Sequence, residues 1–223
     1  MEMMRLKVGD YGEYCYIVSE EEKGRALIFD PGGHPDEIID YIDNNGLKPV
    51  AILITHGHHD HISGLEEVRD YYRVPVYMHP LDVPKLALAG QREPDILIEE
   101  TGKVYAIDGF KVRMEHVPGH SAGSVIYFFD DENFAICGDV IFKGSVGRTD
   151  FEDGDFETLM RGIERYLSPL PDDFILMPGH AELTTIGEEK KENSFLNGHI
   201  QFKHGKFVWV EHPDKDWFKH QEF

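Results

Sequence analysis

Apolar residues fall along the chain in short runs, separated by longer stretches where they recur every three or four positions. Runs at 6–8, 14–18, 26–29, 50–54, 76–78, 110–117, 125–129, 134–137 and 174–177 have the length of buried or half-buried strands. Helical spacing marks 35–45, 63–72, 156–167 and 186–192. The first of these opens on His34, Pro35, Asp36 and Glu37 and stops at Gly46. Proline supplies a helix-compatible φ in the first turn, and acids there face the partial positive charge of the helix start. Asn193 and Ser194 break the pattern before the last stretch. The order of elements predicts an α/β fold, with sheets covered by helices rather than a bundle or a pure sandwich.

The 223 residues, 41% of them hydrophobic, suffice for one full core and a small appendage. We expect one domain over 1–197 and a C-terminal tail over 198–223. Lys and Arg number 22 against 42 Asp and Glu, a formal charge of −20. That field repels phosphate backbones and anionic lipid, so neither nucleic acid nor a membrane is the expected partner. A small-molecule substrate, even an anionic one drawn to a local cation, remains compatible. Cys15 and Cys137 could form one bridge but not a disulfide framework, which fits a reduced cytoplasmic setting. The first residues lack the apolar core of a signal peptide, and no apolar run reaches the ~18–20 residues that span a bilayer.

The stretch Thr55–His61, THGHHDH, changes the picture. It lies between a predicted strand and a predicted helix and holds four histidines and an aspartate. In an extended turn alternate side chains converge, so His56 and His58 could take one metal while Asp60 and His61 take a second. Imidazole and carboxylate suit zinc, iron or manganese. A polar loop with incidental histidines is the plain alternative, and it explains one His-x-His pair better than it explains this density. His59, out of phase with His58, is expected behind the ligands or facing solvent. Three further residues share the placement of His56 just past a strand-like run: His120 after 110–117, Asp139 after 134–137, and His180 after 174–177. Each alone reads as a turn, cap or surface residue. Together they point to one site at the ends of strands, where α/β folds assemble their chemistry.

THGHHDH, PGHSAGS at 118–124, GDVIF at 138–142, GSVGRTDF at 144–151 and PGH at 178–180 resemble the metallo-β-lactamase superfamily. Within it the match is nearest to the glyoxalase II-like, hydroxyacylglutathione hydrolase-like branch, over about residues 3–197. The resemblance implies an αββα sandwich of two mixed sheets flanked by helices. It implies that His56, His58 and His120 bind a first metal, that Asp60, His61 and His180 bind a second, and that Asp139 bridges them. The expected cofactor is a pair of divalent metals, zinc ahead of iron or manganese. One departure stands out: full glyoxalase II enzymes add a helical domain that completes the glutathione site. Here the segment after His180 ends in a strand-like stretch and an aromatic tail with no matching glutathione residues.

Two metals about 3.5–4 Å apart lower the pKa of a shared water, and the hydroxide attacks a carbonyl while a metal steadies the oxyanion. Asp60 and Asp139 are the catalytic carboxylates in this reading, Asp60 orienting the nucleophile. A small acyl thioester suits the site because thiolate leaves with little protonation. The rival is a persulfide dioxygenase with one iron on His56, His120 and Asp139, a group that shares GRTDF. A nuclease of the superfamily conflicts with the net charge, and a non-enzymatic relative conflicts with the intact ligand set. Lys143 is either a carboxylate contact or a solvated lysine, and Arg148 with Asp150 reads as an ion pair stiffening its loop. Cys137 is expected as a buried thiol, and His79 and His116 as ordinary hydrogen-bonded histidines. Trp209, Trp217, Phe218 and Phe223 could cap the pocket or form a homodimer face, with packing on the domain slightly ahead.

Overall fold

The computed structural model describes residues 1–21, 24–203 and 206–209. Its first half runs β1 (Glu2–Val8), β2 (Glu13–Ser19), β3 (Arg25–Phe29), α1 (Pro35–Asn44), β4 (Lys48–Leu53), α2 (His59–Ile62), α3 (Leu65–Tyr72), β5 (Val76–Met78), α4 (Val83–Leu88) and β6 (Ile96–Leu97). The second half runs β7 (Lys103–Ile107), β8 (Phe110–His116), β9 (Val125–Phe129), β10 (Phe134–Gly138), β11 (Ile141–Phe142), β12 (Ser145–Val146), α5 (Phe156–Tyr166), β13 (Ile175–Pro178), β14 (Thr184–Thr185) and α6 (Ile186–Glu192). A hairpin of β15 (Ile200–Lys203) and β16 (Lys206–Trp209) follows.

Among the described residues the strands form two six-stranded mixed sheets, ordered β1-β2-β3-β4-β5-β6 and β14-β13-β10-β9-β8-β7. Their inner faces meet in one core. Tyr16, Val18, Leu27, Phe29 and Leu53 of the first sheet pack with Val112, Met114, Tyr127, Phe129 and Ile136 of the second. The ring of Phe29 stands edge-on to Tyr127 and Phe129, at 5.5 and 6.0 Å between centroids. The outer face of the first sheet is covered through Ile38, Ile42, Ile62, Leu65, Val68 and Leu86, all helical. That of the second is covered through Leu159, Ile163 and Ile186. Strands covered on both sides read as unbroken apolar runs, and all five residues of β9 are buried. The architecture is therefore αββα, as expected.

Helix ends follow local chemistry. Pro35 opens α1 with Asp36 and Glu37 in the first turn, and Ile38 and Ile42, four apart, face the core. The Asp155 carboxylate caps α5 by accepting from Thr158 N at 2.7 Å. Strand direction decides where the site lies. β8 and β10 both run antiparallel to β9, and β13 runs parallel to β10. All three therefore end at one edge of the second sheet. Cross-sheet bonds join that edge to the first sheet: Val125 N donates to Thr55 O at 2.9 Å, Tyr14 N to Gly179 O at 2.8 Å, and the Tyr16 hydroxyl to Pro178 O at 2.7 Å.

Cys15 and Cys137 are both buried and free. No helix of the described residues is long and apolar enough to cross a membrane. The predicted tail begins with the β15–β16 hairpin; residues 210–223, and with them Trp217, Phe218 and Phe223, lie outside the described residues, as does the side chain of Trp209.

Candidate metal centre

Four strand ends deliver the cluster: β4 leads to His56, β8 to His120, β10 to Asp139 and β13 to His180. One detail departs from the sequence reading, which kept all of THGHHDH in an extended turn. His58 is extended (φ −69°, ψ 148°), but the next residues form the helical turn α2, so Asp60 and His61 sit on a helix. Convergence is kept because α2 packs over the strand ends, with His61 fully buried between Asp30 and Asp139.

All seven predicted side chains come together. His120 Nε2 lies 2.9 Å from His58 Nδ1 and 3.2 Å from His56 Nε2. His61 Nε2 lies 3.3 Å from Asp139 Oδ1, and His120 Nε2 lies 3.5 Å from Asp139 Oδ2. His180 Nε2 is 3.0 Å from Asp60 Oδ2 and 3.7 Å from Asp139 Oδ2. Two ligand atoms on one tetrahedral ion, each about 2.0–2.1 Å from it, stand roughly 3.3 Å apart. The observed separations bracket that spacing. The groups His56–His58–His120, His56–His61–Asp139 and Asp60–His61–His180 each keep one donor atom per residue within 4.8 Å of the others.

The outward nitrogens fix the inward ones. His120 Nδ1 donates to Arg148 O at 2.8 Å, and His61 Nδ1 donates to Asp30 Oδ2 at 2.9 Å. His56 Nδ1 donates to Thr55 Oγ1 at 3.1 Å, and that hydroxyl donates in turn to Asp30 Oδ2 at 2.5 Å. Each ring therefore engages Nδ1 outward and turns Nε2 toward the cluster, the orientation that metal-ligating histidines adopt. Inside, His61 Nε2 and Asp139 Oδ1 are buried without a hydrogen-bond partner. Buried polar atoms are rarely left so, and here both point at the same small space. A cation satisfies both at once, so the residues fit a metal.

Electrostatics agree with that fit. Burial, reinforced by neighbouring imidazoles, holds His56 well below the usual histidine range and His58 at about 4. Burial also lowers His120, against the pull of Asp139. These rings are neutral at pH 7, as ligands must be. His61 is the exception: burial pushes it down, but Asp139 and Asp30 overcome this and raise it well above its usual value. Burial works against ionising Asp60 and Asp139 too, yet the histidines keep both carboxyls low, Asp60 at about 2. The cluster thus carries negative charge in search of a cation, and without one His61 bears the proton.

Sequence reading passed over the groups that hold this arrangement. Asp30 follows β3 as His56 follows β4, so the strand-end rule that found the others could have found it. Asp82 had no such signal. It is fully buried, and its carboxylate accepts from Gly57 N at 2.7 Å, Gly123 N at 2.8 Å, Ser121 Oγ at 2.5 Å and Lys85 Nζ at 2.9 Å. One side chain thereby ties the His56–His58 segment to the loop that carries His120. Gly179 meets a packing limit instead. A Cβ there would lie 2.5 Å from both Asp139 Oδ1 and His61 Cε1.

The cluster floors a cavity of ≈ 640 Å³ walled by Tyr11, Phe142, Val146 and Phe151, with His59 and Arg148 at its side. His59 is exposed, as expected. Arg148 is matched by Asp150 at 2.6 and 2.7 Å and lies over the Phe151 ring at 4.5 Å. Lys143 is 3.7 Å from Glu188 at the surface. Burial raises the Cys137 thiol to about 12, which makes it inert packing. His79 and His116 stack at 4.0 Å away from the cluster, and His116 Nε2 donates to Ala122 O at 2.8 Å.

An αββα sandwich that gathers histidines and aspartates at one edge defines a metallo-hydrolase frame. The chain belongs to the metallo-beta-lactamase superfamily, whose family model matches residues 8–180. Members are generally hydrolytic metalloenzymes that bind divalent ions. A Bacillus subtilis (strain 168) protein named probable metallo-hydrolase YqgX is 38% identical, covering 89% of this chain and 99% of its own. The hydroxyacylglutathione hydrolase GloC of Haemophilus influenzae (strain ATCC 51907 / DSM 11121 / KW20 / Rd) is 34% identical, over 86% of this chain and 96% of its own. Among solved structures, the BLEG-1 B3 metallo-beta-lactamase superposes with a TM-score of 0.81 at 36% identity, over 88% of this chain and 100% of its own.

Proposed function

We propose that the chain is a binuclear metallohydrolase that cleaves a small acyl thioester. The observation that carries this reading is the pair of buried atoms His61 Nε2 and Asp139 Oδ1, 3.3 Å apart and neither in a well-formed hydrogen bond, among five further metal-type side chains. His56, His58 and His120 would hold one divalent ion, Asp60, His61 and His180 a second, and Asp139 would serve both. Zinc is the first candidate, with iron and manganese compatible with the same donors. Such a pair supplies Lewis acidity and brings the pKa of water toward neutrality.

The chain's own residues supply orientation. Asp30, Thr55 and the Arg148 carbonyl hold three imidazoles with Nε2 inward. Asp60 lines the cavity beside Asp139 and, with a pKa of about 2, accepts a hydrogen bond from water without taking its proton. Tyr11, Phe142, Val146 and Phe151 form a mostly apolar wall for a small organic substrate. A thioester fits because thiol pKa values near 8.5 let the sulfur leave with little protonation. The relative named hydroxyacylglutathione hydrolase GloC supports this substrate class.

The test is a panel of acyl thioesters, S-lactoylglutathione among them, offered to metal-loaded protein. The expected result is hydrolysis that a chelator stops and added metal restores. Protein with a full metal complement that cleaves none of them, yet consumes oxygen with glutathione persulfide, would replace this reading with a mononuclear iron dioxygenase.

A further inference from the structure

The wall that faces the metal-type cluster is built on a hairpin of two very short strands, anchored in the core only through Ile141 and Val146. β11 and β12 are two residues each and pair only with each other, Ile141 with Val146 and Phe142 with Ser145. A two-stranded hairpin of this size has little stability of its own. Yet it carries Phe142, Ser145 and Val146 into the cavity lining and leads directly to Arg148, whose carbonyl orients His120. The Phe142 ring lies 6.1 Å from that of His180. Something outside the hairpin must fix it.

Glu189 of α6 meets that need. Its side chain is buried, and its carboxylate accepts from the Gly144 amide at the hairpin turn, at 3.2 and 3.0 Å to its two oxygens. Thr184 Oγ1 donates to Oε1 at 2.6 Å, and Asn193 Nδ2 to Oε2 at 2.7 Å. The same Asn193 nitrogen also donates to Ser145 O at 2.9 Å, the next residue and the first of β12. Glu189 and Asn193 therefore hold two successive residues where the turn enters β12. Among the described residues Glu189 forms no salt bridge. Removing a carboxylate from water without a cation is costly, and only a full set of donors offsets it. Gly144 N and Asn193 Nδ2 can only donate, whereas the Thr184 hydroxyl, also 3.0 Å from Glu188 Oε2, can turn to accept, so removing the side chain rather than exchanging it for glutamine breaks the clasp.

We propose that Glu189, through Asn193, is a positioning residue that sets the β11–β12 wall and so governs how substrate fits, without taking part in metal binding. This rests on the cavity being the substrate site, as argued above. A wall that positions bound substrate equally in ground and transition states acts on KM, so the clasp should be visible there.

The experiment compares Glu189→Ala and Asn193→Ala with the parent protein, all metal-loaded. Amide hydrogen exchange over residues 141–146 reads the clasp itself, and two thioesters differing only in acyl bulk read its use. Expected are faster exchange at Gly144, unchanged metal per chain, KM raised about tenfold with kcat largely kept, and a reduced preference between the two acyl groups. Unchanged exchange, or loss of kcat together with metal and no KM effect, would overturn the proposal. If Glu189→Ala does not fold, Asn193→Ala and Thr184→Val carry the same test. Should the parent protein cleave no thioester, the functional reading fails by itself, and hydrogen exchange still decides whether the clasp exists.

Discussion

At the scale of single residues, the chemistry of the centre depends on partners as much as on the seven side chains. Asp30 accepts from Thr55 N and Oγ1 and from His61 Nδ1, and Thr55 links it to His56. Groups in that position typically change metal affinity by about 10–100-fold. Asp30→Asn should therefore weaken binding by about that factor while leaving the number of sites unchanged, measured by competition with a chromogenic chelator. The histidines and aspartates themselves were legible in the sequence because metal chemistry restricts residue type so tightly. Asp30, Thr55 and Asp82 were not singled out, because hydrogen-bonding aspartates and threonines are common everywhere. Only the fold shows what they touch.

At the scale of elements, strand ends and short connections do the positioning. β13 stops at Pro178, and Gly179 passes so close to Asp139 and His61 that no side chain fits. Gly179→Ala should weaken metal affinity at least about tenfold through misplaced ligands, measured by chelator competition, with the secondary structure by circular dichroism kept. Asp82 joins two ligand-bearing loops and gives the pH dependence. Burial raises its pKa, but Ser121, Lys85 and Gly57 N outweigh this and leave it below the usual 3.8 of an aspartate. A carboxylate depressed in the folded state stabilises the protein above 3.8, and that stability is lost as pH falls through the lowered value. Urea unfolding at pH 7 and pH 3 should show Asp82→Asn less stable than the parent at pH 7 and the gap narrowing at pH 3. Strands β2 to β5, β8 to β10 and β13 and helices 35–45, 63–72, 156–167 and 186–192 were readable from the pattern to within two residues, whereas β1 starts four residues before the predicted run and β7 and α4 were not predicted. The two-residue strands β6, β11, β12 and β14 are too short to show a period, and α2 is made of ligands rather than an apolar stripe. Of those hidden pieces, β11, β12 and α2 line the cavity.

At the scale of the whole molecule, the two sheets act as one frame because ligands come from both. His56, His58, Asp60 and His61 follow β4 of the first sheet, while His120, Asp139 and His180 follow β8, β10 and β13 of the second. The inter-sheet core and the cross-sheet bonds to Thr55, Pro178 and Gly179 hold the halves in register. The alternation of elements in the sequence announced sheets covered by helices, and the motifs supplied the αββα arrangement; the meeting of the two ligand groups needed coordinates. The most direct measurement is metal per chain by elemental analysis, on the parent protein and on Asp139→Ala and His180→Ala. Two ions per parent chain, near none in Asp139→Ala and about one in His180→Ala, is the predicted result. A single ion per parent chain that His180→Ala retains in full would contradict it.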